Sequence, residues 1–264
     1  MLPDVHVICL DSVFETRGKL TLAFIQANLS KSFYNTLIAS KAVTPSDFVL
    51  EGVVDVSQLS IISGKTPRVT HADLQNSRQV ACALSHINVW HTCIETQRPV
   101  LVFEDDVRPK RLSVRLEQAR MLVDADLVLL ACTYSSKNST TKQVYNFGGA
   151  GCYYLTPQGA TTLLKGALPI SMHIDHYMST CIDAYGLRVF GIENNIDQTE
   201  TESGSTLGHS RNMTTIVVPR LEILVTTLSI VLFVLILVGC TEIGVVITLF
   251  QQKHRNSRLQ KPLS

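Results

Sequence analysis

Three consecutive acids, Glu104-Asp105-Asp106, follow directly on the apolar run Val100-Leu101-Val102-Phe103. Such a run reads as a buried strand of an α/β sheet, and open sheets of that kind place their ligand crevice outside the carboxyl ends of the strands. Carboxylates crowded at that edge repel one another and call for a compensating cation. Their hard oxygens suit Mn²⁺ or Mg²⁺, which take one or two protein carboxylates together with substrate phosphates. A cation held there would neutralise a departing diphosphate. Acids also favour the first turn of a helix, so the triplet by itself leaves a structural role open.

Three further segments carry polar groups in suggestive places. Ala83-Leu84-Ser85-His86-Ile87-Asn88-Val89-Trp90 lies one helix before the acids. The small-residue stretch Phe147-Gly148-Gly149-Ala150-Gly151-Cys152-Tyr153-Tyr154-Leu155 follows them and leads into Thr156-Pro157-Gln158-Gly159-Ala160. Beyond Pro169-Ile170 comes Ile174-Asp175-His176-Tyr177. Taken alone, Ser85 and His86 read as a hydrogen-bonded structural pair on a helix. Arg17 is either a surface residue or a phosphate partner, for which its planar fork is suited. His176 and His209 read as solvated side chains, with His209 also able to reach a metal from a C-terminal loop.

The elements needed to position these groups alternate between strand and helix. Val5–Leu10 reads as a buried strand, Arg17–Leu29 as a helix and Phe48–Val56 as a second strand. Ile61–Val69, with Gly64 and Pro67, reads as loop. Ser77–Thr96 has helical periodicity and is stopped by Gln97-Arg98-Pro99. After the acids come a helix at Leu112–Leu122, a strand at Leu127–Cys132 and a Ser/Thr/Asn-rich loop at Tyr134–Lys142. A strand at Gly151–Leu155, helices at Pro157–Leu164 and His173–Tyr185, and a late strand at Leu187–Ile192 complete the order. This alternation predicts an α/β fold with a mostly parallel sheet flanked by helices.

The chain has 264 residues, a net charge of +1 and 17% charged residues. That length suits one domain of roughly 200 residues with an appendage. The balanced charge leaves no basic footprint for nucleic acid. The seven cysteines have no CxxC spacing and mostly sit in apolar runs, which favours buried reduced thiols over a disulfide framework or a zinc knuckle. No Walker-type glycine loop with a phosphate-binding lysine is present, which weakens a phosphotransferase reading.

In this order and with these gaps, the segments resemble glycosyltransferase family 25, the lipooligosaccharide and procollagen galactosyltransferases. That family has an LSH…W helix, an apolar strand into EDD, a small-residue strand before a G-A…L-L helix, and an (I/V)-D segment after a proline. Ile8-Cys9-Leu10-Asp11 with Arg17 is similar to its first strand and Arg-bearing loop. The likeness covers about Val5 to Ser210. It implies a GT-A-like, Rossmann-type fold and a metal-dependent, inverting hexosyltransferase that uses a UDP-sugar, galactose above all. The acceptor would be a glycan, a lipid-linked group or a protein hydroxyl. By the same resemblance, Asp106 is the direct Mn²⁺ (or Mg²⁺) ligand with Glu104 beside it. Glu104 and Asp105 hold ribose, sugar hydroxyls or metal-bound water. Arg17, Ser85 and His86 lie near the nucleotide, and Gly148 and Gly149 admit the donor sugar. Asp175 is the general base or a neighbour of the metal, so Asp175 and Asp105 are the candidate catalytic carboxylates. Relatives enter the Ser-His helix through G-E-(I/V)-G-C. Here Arg78-Gln79-Val80-Ala81-Cys82 keeps the cysteine alone, which leaves open a non-catalytic descendant that binds a sugar nucleotide or a partner.

The C-terminal portion adds a membrane expectation. Ile223–Val238 has no charge and the apolar run continues to Phe250 past Glu242, long enough for a bilayer core of about 30 Å. The expected organisation is therefore a transferase domain at 1–210, a linker at 211–220, a transmembrane helix at 221–250 (Leu221–Phe250) and a basic tail at 251–264. The tail's Lys253, Arg255, Arg258 and Lys261 place it in the cytosol by the positive-inside rule. Against that, Met1–His6 has no signal-peptide character, so a C-terminal anchor leaves the domain in the cytosol. The second argument is taken, giving a single-pass membrane protein with a cytosolic domain.

Overall fold

The computed structural model describes residues 1–136 and 143–192, all within one compact unit, Met1–Gly208. Six strands form one sheet: β1 (Asp4–Cys9), β2 (Leu37–Lys41), β3 (Val100–Glu104), β4 (Leu127–Ser136), β5 (Val144–Leu155) and β6 (Val189–Gly191). Their order across the sheet is β2-β1-β3-β5-β4-β6. β1 pairs in parallel with both β2 and β3, and β4 in parallel with β6, whereas β5 runs antiparallel to β3 and β4. The sheet is therefore mixed, with β5 reversed between two strands that share a direction.

Alternation along the strands divides the interior into two cores. Val100, Val102, Leu127, Leu129, Tyr153 and Leu155 join one hydrophobic cluster; Leu101, Phe103, Val128, Leu130, Cys152 and Tyr154 join the other. Successive side chains of a strand point to opposite faces, and here both faces are apolar because both are covered. Helices α3 (Ser77–Thr96), α5 (Pro157–Leu164) and α6 (Ile174–Tyr185) supply Trp90, Leu163 and Met178 to the first core. Helices α1 (Lys19–Asn28) and α4 (Leu112–Met121) supply Ile25 and Leu116 to the second. The short α2 (Val56–Ile62) starts at Asp55, whose side chain accepts from the Ser57 N–H.

Local signals set the helix ends. Asn76 caps α3 by accepting from the N–H groups of Arg78 and Gln79, and the helix stops where Gln97 turns to φ +51°. Thr156 caps α5, with Pro157 in its first turn, by accepting from the Gly159 N–H. Both are side-chain answers to the unpaired N–H groups of a helix start.

Several sequence expectations need correction. Phe48–Val56 is not a strand; it holds isolated bridges only, Glu51 with Val54 and Val54 with Ile170. The second strand is instead Leu37–Lys41, whose burial is patchy because it is the sheet edge. Edge pairing to β1, rather than an apolar pattern, makes it a strand. Part of the expected Ile61–Val69 loop belongs to α2. β4 runs on to Ser136, into the stretch read as loop, because β5 pairs with it through a series of register shifts. The expected membrane anchor is also withdrawn. Among the described residues no helix is long and apolar enough to cross a membrane. Leu221–Phe250, the basic tail and the linker lie outside the described residues, so neither an anchor nor a membrane-bound location is carried forward.

The sheet's start is tied by Asp4, which is buried at the head of β1. Its Oδ1 accepts from Asn35 Nδ2 (2.7 Å) and Thr36 Oγ1 (2.6 Å), and its Oδ2 from Arg98 Nε (2.9 Å). One carboxylate thus joins the leads into β2 and β3 to β1. Burial by itself raises its pKa, but the bonds from Thr36, Asn35 and Arg98 outweigh burial and hold it below the usual value. A depressed folded pKa lends stability that is present above the unfolded value and lost as pH falls through the folded one. Replacing Asp4 with Ala is expected to cost about 2–4 kcal/mol at pH 7 in urea unfolding. The gap between variant and wild type should narrow below about pH 4.

Candidate active site

The strand order reverses direction between β1 and β3, since the chain leaves β1 toward β2 and returns beyond β1 to form β3. Such a switch point opens a crevice at the carboxyl ends of the two strands. β1 and β3 each deliver their polar groups there.

After β1 the chain makes a π-type turn, Phe14–Gly18, before entering α1. Turns of this kind widen a helix start and can aim one side chain inward. Here they bury Arg17, which is 6% exposed. A Cβ on Gly18 would lie 2.6 Å from Phe14 Cδ2 and 2.9 Å from Cys9 Sγ, so the turn packs directly on the end of β1. Arg17 Nη2 stands 2.9 Å from Asp105 Oδ1 and 2.9 Å from Asp106 Oδ2. The carbonyl of Asp105 accepts from Thr21 Oγ1 at 2.6 Å, which ties the acid turn to α1.

Glu104, the last residue of β3, meets α3. His86, fully buried on α3, has its Nε2 3.4 Å from Glu104 Oε1. The two are close enough to count as an ion pair, yet no hydrogen bond forms and Nε2 has no other partner. The opposite ring nitrogen, Nδ1, lies 2.8 Å from the Tyr153 hydroxyl, which also accepts from Trp90 Nε1 at 3.0 Å. His86 and Tyr153 stack with ring centroids 5.7 Å apart. One helical turn before His86 is Cys82, whose Sγ lies within 4.8 Å of ligand atoms of both His86 and Glu104.

Asp175, in the first turn of α6, meets the same region from β5. Its Oδ2 accepts from the Gly149 N–H at 2.8 Å and its Oδ1 from the His176 N–H at 2.8 Å. Gly149 adopts φ +84°, a conformation that favours glycine. A Cβ on Gly148 would sit 3.9 Å from Asp175 Oδ2. Gly151 allows β5 to back onto the residue that follows the acids, since a Cβ there would come within 2.6 Å of Val107 Cγ2. Burial first, then the charges of nearby carboxylates, Glu104 foremost, hold the Cys82 thiol well above the usual range.

The fold brings together most of the residues singled out in the sequence. Arg17, Asp105 and Asp106 form one charged group with Glu104 beside them, His86 lies next to Glu104, and Asp175 is held by the Gly149 N–H close to Gly148. Arg17 is engaged by two of the acids. Ser85 is used otherwise: its hydroxyl accepts from the Val43 N–H and donates to the Ala81 carbonyl, both at 2.8 Å. His176 packs its ring edge-on to His173, and His209 lies outside the described residues. Sequence reasoning missed Tyr153 and the part Cys82 plays. The spacing Cys82-x₃-His86 was a usable signal, because residues four apart share a helix face. Tyr153 carried none, being one more ring in an apolar strand. A cavity of ≈ 360 Å³ lined by Met1, Pro99, Glu117, Arg120, Met121 and Tyr154 lies at the opposite end of β3 and shares none of these groups.

Comparison with known proteins bears on the family. The profile of Glycosyltransferase family 25 (LPS biosynthesis protein) matches residues 4–178. The lipooligosaccharide biosynthesis protein lic2B of Haemophilus influenzae is 30% identical over 103 residues, which is 39% of this chain and 33% of that protein. The match thus spans about a third of the length of this curated relative. Among solved structures, CMP:2-keto-3-deoxy-manno-octonic acid synthetase with CTP aligns over 74% of this chain and 93% of its own, at 10% identity and a TM-score of 0.40. A putative nucleotide-diphospho-sugar transferase from Desulfovibrio desulfuricans G20 aligns over 75% and 84%, at 8% identity and a TM-score of 0.38. Those two likenesses are loose and carry no inference about chemistry.

The acids are held at an energetic cost. Burial first, then repulsion from Glu104 and Asp105, push Asp106 up to about 6 in spite of Arg17. Burial likewise raises Asp105. A carboxyl whose folded pKa exceeds its unfolded one keeps its full contribution below the unfolded value and loses it as pH rises through the folded value. Asp106→Asn, in chelator, is therefore expected to be about 1–2 kcal/mol more stable than wild type at pH 7. The two proteins should unfold alike below about pH 4. A variant less stable at pH 7 would show that Arg17 outweighs the crowding.

Proposed function

The chain belongs to glycosyltransferase family 25, and on that premise we propose that it transfers a hexose from a nucleotide sugar to an acceptor hydroxyl. The donor is UDP-galactose, the acceptor a glycan, lipid-linked or protein hydroxyl, and the transfer inverts the anomeric centre. The transferase domain is residues 1–210. The observation that supports this reading most is the acid triplet at the switch point of the sheet, where Arg17 bridges Asp105 and Asp106 at 2.9 Å and Glu104 stands beside them.

A divalent cation fits these residues. Asp106 and Glu104 offer hard oxygens, and burial first, then repulsion from Glu104 and Asp105, push Asp106 up to about 6 in spite of Arg17, a cost that a bound cation would relieve. Glu104 and Asp106 are the residues that would hold Mn²⁺ or Mg²⁺. When bound, the ion supplies charge for a departing diphosphate.

The remaining steps fall to the chain itself. Asp175 takes the proton of the attacking hydroxyl as general base, the role that inversion with a single displacement demands. Its carboxylate is fixed for that by the N–H groups of Gly149 and His176. Gly148 and Gly149, without side chains, let the donor sugar come close to the β5 backbone. Asp105 orients the ribose or sugar hydroxyls and shares Arg17 with Asp106. Arg17 turns part of its fork toward the nucleotide diphosphate, and His86 lines the site beside Glu104.

The full chain incubated with a panel of UDP-sugars and Mn²⁺ is expected to release UDP from one donor. Asp106→Ala should lose that metal-dependent release. Asp175→Asn should lower kcat by roughly 10²–10⁴-fold while UDP affinity stays near wild type. UDP bound but never released from any donor would replace this reading with a non-catalytic sugar-nucleotide-binding protein.

A further inference from the structure

We propose that Cys82, His86 and Glu104 form a binding site for a soft divalent cation of the zinc class, separate from the hard-ion position at Asp106. The site rests on geometry and does not depend on the transferase reading. It shares only Glu104 with the position described above.

Four observations carry it. Cys82 and His86 stand four apart on α3 and therefore present their side chains on one face. With Glu104 from the end of β3, they place one sulfur, one nitrogen and one oxygen within 4.8 Å of each other. Thiolate, imidazole and carboxylate are the ligand types that zinc accepts, and three protein ligands leave a fourth position open.

The second observation is the state of His86. The side chain is fully buried, yet its Nε2 has no hydrogen-bond partner and points at Glu104. A buried polar atom left unpaired is costly, so it calls for an explanation.

The distance supplies the third. His86 Nε2 and Glu104 Oε1 are 3.4 Å apart without hydrogen-bond geometry. Two ligand atoms about 2.1 Å from a tetrahedral ion stand about 3.4 Å apart, so the gap has the span of one tetrahedral edge.

The fourth lies behind the ring. Tyr153 holds His86 Nδ1 at 2.8 Å and is itself held by Trp90. A metal-binding imidazole characteristically has its second nitrogen fixed by a neighbour in this way, which sets the tautomer and aims the other nitrogen. With an ion bound, His86 Nδ1–H donates to the Tyr153 oxygen and Nε2 offers its lone pair.

Charge and protons balance. The ion displaces the Cys82 proton to solvent, and a thiolate plus the Glu104 carboxylate cancel its two charges. Without an ion, burial first and then the neighbouring carboxylates oppose ionisation of Cys82; the ion reverses that opposition.

The test is Co²⁺ titrated into the reduced, chelator-treated full chain, with no sugar nucleotide present. Expected is a sulfur-to-cobalt charge-transfer absorption in the near ultraviolet, with visible bands of tetrahedral intensity, both bleached by Zn²⁺. Cys82→Ala, a small change at a half-buried position, should abolish the near-ultraviolet band. Glu104→Gln should keep that band while weakening Co²⁺ affinity by 10-fold or more. Absence of the band in wild type overturns the proposal, as does a band that survives in Cys82→Ala, which would put the ion on another cysteine. Because no turnover is measured, these outcomes stand whether or not UDP release is seen.

Discussion

The guanidinium of Arg17 bridging Asp105 and Asp106 is the contact on which the carboxyl edge of the sheet depends. Three adjacent acids, one buried and two half-buried, cannot be held together unaided, because each desolvated charge raises the cost of the next. A single Nη2 set 2.9 Å from both aspartates offsets part of that cost. Its position in turn requires the π-type turn after β1, and that turn requires glycine at position 18 for its approach to Cys9. The offset is incomplete, since Asp106 is still pushed up to about 6. An enzyme that must attract a cation and an anionic donor in turn gains from such an unfinished balance, at the expense of stability.

The opposite side of the acids has a different character. There Glu104 faces a fully buried ring anchored by neutral groups, Tyr153 and Trp90, instead of a permanent positive charge. The two flanks divide the triplet: Asp105 and Asp106 belong with Arg17 and α1, Glu104 with α3. Alternation along β3 brings this about, because Phe103 and Val102 already point into separate cores. The flanks can therefore respond differently to hard and soft ions.

The reversed strand β5 has consequences for both. Lying between β3 and β4, it brings Tyr153 under α3 and Gly148–Gly149 beside α6. The glycines let Asp175 take a backbone N–H, which orients a carboxylate without adding a competing positive charge. A parallel strand in that slot would run its residues the other way along the sheet and separate these contacts.

Much of this was legible in the residues themselves. The apolar run into three acids, the capped helix Ser77–Thr96 and the Thr156-Pro157 helix start are local signals, and each appears in the fold where the pattern put it. Asp175 was singled out only through a family resemblance, since no spacing links it to the acids so far away in the chain. Other features could be decided only by tertiary structure. β2 is a strand because β1 offers it an edge; its own residues alternate poorly, so a more apolar stretch nearby drew the expectation instead. Ser85 and His86 are neighbours in sequence but are separated in role by their angular positions on α3, one bonded to Val43 and the other facing Glu104. The sequence determines which groups exist and which local elements carry them. Which groups meet depends on strand order and burial, because charge repulsion, desolvation and hydrogen bonding act between residues that only the folded chain brings into contact.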